Sequence, residues 1–486
     1  MPKRLRPLSG LDAAFLYLEA AGTPMHVGSV MLLQAPGRSP GAAKVPGGRG
    51  RPAKRKTTNF HRDLVAHMRE RLPRAAALSR ILRDAPFDLG HPMWDEAASV
   101  DLDSHIGTRR LPAPGTPAQL WRLVADLHSE ALPRDRPLWQ FVVIDGLATG
   151  ERVLYTKVHH ALLDGEGGVA LAQALLDVQP TAPGAGAAAV RARAHRSPTR
   201  SQVARSALGA SARQIGNLVR ALPATLKLAG DSLRDAASLI GRLRDSVMLA
   251  PRTPFNVRIG TQRSFAVASL PLDTVKRVAR HFGASLNDVV LALCASTLRE
   301  YLQRRRLLPK KSLIAAMPVS LRAAGDGAAN NQVSMVQCEL PTALADPVER
   351  LRAISAATGQ LKRQVASVRG LIPTDFPGFA APIWATGLSR LWGSGTIAER
   401  LPQLANLVVS NVPGPPVPLY LAGVKVLHSY PVSIVTHGLG LNITVNSYAG
   451  SLEFGLLAAR DVAPKLDALA GGLARALAAL DKQVDK

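Results

Sequence analysis

Hydrophobic and polar positions along the chain follow two periods. Apolar residues three and four apart mark helices, while alternation or short β-branched runs between turn residues mark strands. Residues 25–35 (MHVGSVMLLQA) have strand composition, and residues 59–72 (NFHRDLVAHMRERL) repeat Phe60, Leu64, Met68 and Leu72 at helical spacing. Residues 116–132 carry Leu120, Leu123, Val124 and Leu127 on one face. There Thr116 followed by Pro117 is a helix start, because proline's fixed φ suits the first turn and its missing N–H costs nothing there. Residues 137–147 (PLWQFVVIDGL) and 152–160 (RVLYTKVHH) then read as strands, and residues 169–177 (VALAQALLD) as an amphipathic helix.

A second mixed series begins at Arg263. RSFAVASL, SLIAAMPVSL, LANLVVSNVPGP, GVKVLHSYPVS and GLNITVNSYAGSLEFGLLA have strand character, PLDTVKRVARHF and SLNDVVLALCASTLREYLQRR have helical character, and a last helix is expected from Asp461. The class is α/β (α+β). Between the two series lies PTAPGAGAAAVRARAHRSPTRSQ, a Pro, Ala, Gly and Arg linker, followed by a basic stretch of helical pattern. The economical division is residues 1–180, a linker over 181–260, and residues 261–486. No short-period repeat of the solenoid kind is present.

Composition narrows the partners. With 486 residues and 47% apolar content the chain can bury a large core, so it is a folded protein. The formal charge of +25 favours an anionic partner: nucleic acid, an anionic lipid surface, or a phosphate-bearing substrate such as coenzyme A. Aromatic residues make up only 4%, too few for stacking platforms, and the basic residues sit in linkers with no recognition motif, which argues against nucleic acid. Much of the excess has an address, since residues 36–57 (PGRSPGAAKVPGGRGRPAKRKT) contain basic residues, Pro and Gly and no acid. That composition suits a solvated, disordered insertion, with a membrane- or polyanion-binding arm as the sharper alternative. The linker stretch likewise reads either as helices packed on the body or as a face resting on an anionic membrane.

Cys294 and Cys338 are too few and too far apart for a disulfide framework or a metal shell, so a reducing, cytoplasmic setting is expected. The basic start is interrupted by Asp12 and Glu19 before any cleavage site and does not read as a signal peptide. No run reaches the ~18 apolar residues of a membrane-spanning helix.

The chemistry concentrates at His159 and His160, followed by Asp164 and Gly165 in the pattern His-His-x-x-x-Asp-Gly. The pattern arises by chance in roughly one chain per thousand of this length. On a strand, successive side chains point to opposite faces, so the two histidines cannot easily do one job. One can enter a cleft at the strand's carboxyl end, a favoured site position in α/β folds, while the other is held in the body. An imidazole with a pKa of ~6.5 is a natural general base for a hydroxyl, thiol or amine. Asp164 either orients an imidazole or locks the turn through an arginine, and Asp-Gly as a turn signature favours the lock. Diverging histidines without His-Glu-x-x-His or Cys-x-x-Cys argue against a metal. With no Gly-x-Ser-x-Gly elbow and no reactive-looking cysteine, a base alone points to direct transfer between two bound substrates.

The sequence resembles the bacterial wax ester synthase/diacylglycerol acyltransferase family, relatives of the chloramphenicol acetyltransferase and condensation-domain superfamily. HHALLDG carries the wide superfamily; PLSGLDAAFLYLE, PLWQFVVIDGL, SLNDVVLALCASTLREYL, MPVSLR, NQVSMVQCELPT, VVSNVPGP and GLNITVNSYAGSLEFGL, in that order, carry the narrower family. The resemblance covers nearly the whole chain. It implies two chloramphenicol-acetyltransferase-like lobes with an active-site tunnel at their interface. It further implies that His160 is the general base, that His159 and Asp164 are mainly structural, and that no cofactor is needed beyond the substrate acyl-CoA. The implied reaction passes a fatty acyl group from fatty acyl-CoA to a fatty alcohol or diacylglycerol. The long basic insertion and the Arg-rich linker depart from the family's usual pattern, and they are expected to hold the protein on the anionic inner leaflet of the membrane or on a lipid droplet.

By the same resemblance Asn287, in an Asn-Asp pair, is a candidate to position the reacting groups or to donate to the oxyanion. Its segment has a plainer reading too, because Ser285 and Asp288 form a capping box. Ser9 and Asp12 have the same form and are expected to begin the first helix, in a segment the family places near the acyl-CoA site. By the same resemblance Asn411–Pro413 and Pro431–Ser433 are expected as turn and packing elements. A carrier-bound donor or polar acceptor, and a non-enzymatic lipid-droplet scaffold, are the rival readings.

Overall fold

The computed structural model describes residues 5–36, 59–85, 91–162, 167–180, 248–320, 333–368 and 402–484, with a few more between 199 and 209. The basic insertion beyond Pro36, most of the 181–260 linker, Asp164 and Gly165 lie outside these residues.

The first half supplies β1 (Arg6–Pro7), α1 (Gly10–Leu18), β2 (His26–Leu33), α2 (Phe60–Arg71), β3 (Arg80–Arg83), β4 (Met93–Glu96), α3 (Leu102–His105), β5 (Ile106–Arg110), α4 (Pro117–Ser129), β6 (Trp139–Asp145), β7 (Arg152–His159) and α5 (Gly167–Leu175). The second half supplies β8 (Arg263–Pro271), α6 (Leu272–His281), α7 (Leu286–Arg304), β9 (Leu313–Ser320), β10 (Val333–Leu340), α8 (Pro347–Val368), β11 (Leu407–Val412), β12 (Tyr420–Leu421), β13 (Val424–Val432), β14 (Leu441–Tyr448), β15 (Ser451–Ala459) and α9 (Leu466–Asp481).

Local chemistry explains the helix starts. Thr116 and Gln119 cap α4 reciprocally with Pro117 in the first turn, Ser285 and Asp288 do the same for α7, and Ser9 accepts from the Asp12 N–H at the start of α1. Phe60, Leu64 and Met68 are buried as their spacing requires. The last helix differs from expectation, beginning at Leu466 and not at Asp461. Lys465 adopts a left-handed conformation (φ 62°), so the helical backbone cannot extend N-terminally through it.

Two six-stranded sheets form the body, ordered β12-β13-β2-β7-β6-β5 and β10-β9-β11-β14-β15-β8, with a small β1-β4-β3 sheet beside them. β13 belongs to the second half of the sequence yet pairs antiparallel with β2, Tyr430 opposite Val30. The first sheet is thus completed by a distant segment. β7 lies between β2 and β6, and all but its first residue are buried, as befits an interior strand.

One hydrophobic core cluster runs through both sheets, with α4 between them. Trp121 meets Phe265 and Tyr430 edge-on at 5.9 and 5.7 Å. Polar ties reinforce the contact: Arg263 of β8 donates to the Gly22 carbonyl, and Arg460 to Asp126 at 2.8 Å. Gly455 of β15 is what lets the sheets touch, because a Cβ there would overlap the Pro431 carbonyl of β13.

Candidate active site

β7 ends at His159, and the chain turns at once into a short 3₁₀ segment, His160–Leu162. The two histidines are therefore separated by the end of the strand, not by strand alternation alone. The His159 N–H donates to the Leu138 carbonyl, and the His160 N–H donates to the Met25 carbonyl at 2.9 Å.

His159 is 1% exposed. Its Nδ1 accepts from the Ala161 N–H at 3.1 Å, which leaves Nε2 as the ring's N–H. Nε2 lies 3.4 Å from Glu19 Oε1, close to the carboxylate but too poorly aligned to be a good hydrogen bond.

His160 is half-buried, and its ring stacks on Phe15 of α1 at 3.9 Å between centroids and 19° between planes. Its Nδ1 is sealed in the fold and has no hydrogen-bond partner among the other described residues, although the carbonyl of His160 itself lies near enough to favour the protonated ring. A proton on Nδ1 leaves Nε2 as the ring nitrogen that carries the lone pair. Burial, and secondarily the neighbouring His159, push this imidazole down to about 4, so it stays neutral at physiological pH.

A buried polar layer stands behind the pair. Tyr155, Lys157 and His159 share one face of β7, and His26 of β2 lies directly opposite His159. The His26 Nε2–H donates to the His128 carbonyl at 2.8 Å. His128 donates from Nε2 to the Ser433 carbonyl and accepts from the Tyr155 hydroxyl at Nδ1, at 2.8 and 2.7 Å. Burial brings His128 down to about 3, so it bridges as a neutral ring. Lys157 donates to the Leu127 and Glu130 carbonyls, both at 2.9 Å, and burial lowers it to about 8. The layer ties β7 and α4 to Ser433, just past β13. Of the segments expected as turn and packing elements, Pro431 and Val432 are strand residues of β13 paired with Ser29 and Gly28, and Asn411 and Val412 belong to β11, because both runs supply ladder hydrogen bonds.

Asn287 stands at the second position of α7, half-buried, and its Oδ1 accepts from Asn411 Nδ2 of β11 at 3.3 Å. This contact turns the Asn287 amide N–H groups away from Asn411. Asp288 is consumed by structure: one carboxylate oxygen accepts from the Ser285 N–H at 2.8 Å, the other from the Thr358 hydroxyl of α8 at 2.7 Å. Among the described residues no hydrogen bond joins His160 to Asn287, and no group of three or more His, Cys, Asp or Glu could hold a metal ion. Cys294 and Cys338 are buried and burial drives both thiols up to about 12, which leaves them unreactive.

Sequence reasoning missed Glu19, Phe15, His26 and His128. Two signals were available: an acid closing the apolar helix AAFLYLE, and a lysine and two histidines at the end of an otherwise apolar strand.

Folds of this kind, two mixed sheets with a strand crossing between them, also occur in condensation domains. The first condensation domain of the calcium-dependent antibiotic synthetase matches with a TM-score of 0.53 at 15% identity, covering 100% of this chain and 98% of that one. This likeness shows the fold alone. Sequence goes further: residues 8–290 match the wax ester synthase/diacylglycerol acyltransferase catalytic domain, and residues 329–481 the WS/DGAT C-terminal domain. The chain belongs to the wax ester synthase/diacylglycerol acyltransferase family, and it is an acyltransferase. A Mycobacterium tuberculosis protein that carries a diacyglycerol O-acyltransferase name is 36% identical over 98% of this chain and 100% of its own length. The O-acyltransferase WSD of Acinetobacter baylyi is 33% identical over 96% of this chain and 94% of its own. The structure of the wax ester synthase/diacylglycerol acyltransferase from Marinobacter aquaeolei VT8 superimposes with a TM-score of 0.68 at 29% identity, covering 99% of this chain and 100% of that one.

Proposed function

We propose that this acyltransferase moves a long-chain acyl group from fatty acyl-CoA to the hydroxyl of a fatty alcohol or diacylglycerol, with His160 as general base and no covalent acyl-enzyme. The observation that carries the reading is the state of His160: neutral, stacked on Phe15 and with its Nδ1 enclosed. Nε2 takes the hydroxyl proton as the oxygen attacks the thioester carbonyl. The tetrahedral oxyanion is met by a donor, for which the Asn287 amide is the candidate. Collapse breaks the C–S bond, and the coenzyme A thiolate leaves with the proton returned from His160. Wax ester or triacylglycerol and free coenzyme A result.

On this reading the two sheets are the cores of two lobes, residues 1–180 and 261–486, with the second lending β13 to the first, and the substrates meet in a tunnel between them. The non-enzymatic scaffold falls with the family membership. The remaining rival is a carrier-bound donor or polar acceptor, and purified protein separates the two. Offered palmitoyl-CoA with hexadecanol, dipalmitoylglycerol or an alkyl amine, it is expected to release coenzyme A and form ester with the first two; turnover with the amine alone sinks the proposal.

The basic segments 36–57 and 181–260 hold the enzyme on an anionic lipid surface in this reading, supported by the net charge of +25. Among the described residues no helix is long and apolar enough to cross a membrane. Flotation with phosphatidylglycerol vesicles is expected at low salt and is lost at high salt. Binding indifferent both to salt and to deletion of residues 36–57 contradicts it.

A further inference from the structure

Glu19 stands where α1 ends, four residues after Phe15, so one face of the helix presents both a ring and a carboxylate. The carboxylate is 8% exposed and has three neighbours. Its Oε2 accepts from Arg134 Nε and Nη2 at 3.3 and 2.8 Å. Its Oε1 accepts from the Met25 N–H at 3.1 Å and faces His159 Nε2 at 3.4 Å. Burial alone raises this carboxyl, but His159, Arg134 and the Met25 N–H outweigh it and bring it down to about 2. Glu19 is therefore an anion at every working pH.

These contacts reach both flanks of His160. The Met25 peptide that gives its N–H to Glu19 gives its carbonyl to the His160 N–H. His159, immediately before His160, has Nδ1 engaged by Ala161, so only a ring with its proton on Nε2 suits both Ala161 and the Glu19 anion. A ring with the proton on Nδ1 would set two donors against each other at Ala161 and a lone pair against a carboxylate at Glu19. We propose that Glu19 is a positioning residue for the acyl transfer, acting through the His159 tautomer and the Met25 peptide to hold His160 against Phe15 in its productive orientation. The inference rests on His160 being the base.

The test is kinetic and spectroscopic. Glu19→Gln keeps the shape and removes the charge, and a reactive group misplaced by about 1 Å loses up to about a hundredfold in rate. The expected result is a kcat lower by about ten- to a hundredfold, KM for acyl-CoA within about twofold, and partial recovery in Glu19→Asp. Arg134→Gln, at a half-exposed side chain, lowers kcat in the same direction by less and gives a second measurement should Glu19→Gln fold poorly. In ¹⁵N-histidine-labelled protein, long-range ¹H–¹⁵N correlation shows His159 protonated at Nε2 alone in the wild type and as a tautomer mixture in Glu19→Gln. In a His160→Ala background Glu19→Gln adds no further loss.

A kcat within about twofold of wild type, a change in KM alone, or a full additional loss on His160→Ala overturns the inference. An inactive His160→Ala beside a fully active Glu19→Gln overturns it alone. An active His160→Ala overturns the general-base reading and this inference together.

Discussion

His160→Ala is expected to lower kcat by roughly a hundred- to ten-thousandfold, the range typical of removing a general base, while the protein stays folded. The ring is half-buried, lies past the end of β7 and stacks on Phe15 of α1, so its deletion leaves both sheets in place. Coenzyme A release with palmitoyl-CoA and hexadecanol measures it, with circular dichroism to show the fold. An unchanged rate removes His160 from the mechanism.

The same residue sets the pH profile. An imidazole at its ordinary value would lose half its base form near pH ~6.5, whereas His160, pushed down to about 4, stays a full-strength population of neutral base well below neutrality. Log kcat/KM is expected to be level through the neutral range and to bend down only on approach to pH 4. Stability falls with acid for the same reason. Below pH ~6.5 the unfolded chain takes up the proton that folded His160 and His128 refuse, so stability present at neutral pH is lost as pH falls toward their folded values of about 4 and about 3. Activity and unfolding have to be followed together, and an inflection near 6.5 in folded enzyme contradicts the assignment.

The second large effect is expected at Asn287. If its amide donates to the oxyanion, Asn287→Ala costs roughly a hundred- to a thousandfold in kcat with little change in melting temperature. Asp288→Ala has the opposite signature. Its carboxylate closes the cap with Ser285 and accepts from Thr358, so its loss costs about 1–2 kcal/mol of stability and leaves kcat within a fewfold in the folded fraction. Urea unfolding and initial rates on both variants separate the roles. A rate loss confined to Asp288→Ala reverses them.

Asn287 and Asp288 also show how far sequence carries. Ser285 and Asp288 could be read as a cap because capping is local, closing over three residues. Asn287 left two readings open, because its neighbour Asn411 lies 124 residues away. The histidines divide similarly: His160 at a strand's end was legible from RVLYTKVHH, but the Glu19 carboxylate facing His159 and the Phe15 ring on His160 were not. No period along α1 says which of its faces meets another strand's end.

By itself the sequence determined many of the strands and helices, the starts of α1, α4 and α7, and the ordered motifs that mark an acyltransferase of this family. Periodicity, caps and turn residues act within a few positions and survive without knowledge of neighbours. Only the tertiary structure decided that β13 completes the first sheet beside β2, that Gly455 permits the sheets to touch, that His128 joins Tyr155 to Ser433, 305 residues further along the chain than His128 itself, and that Glu19 faces His159. Such contacts form because buried donors and acceptors must find partners wherever packing brings them, and a linear pattern of apolar and polar positions holds no record of which distant group that will be.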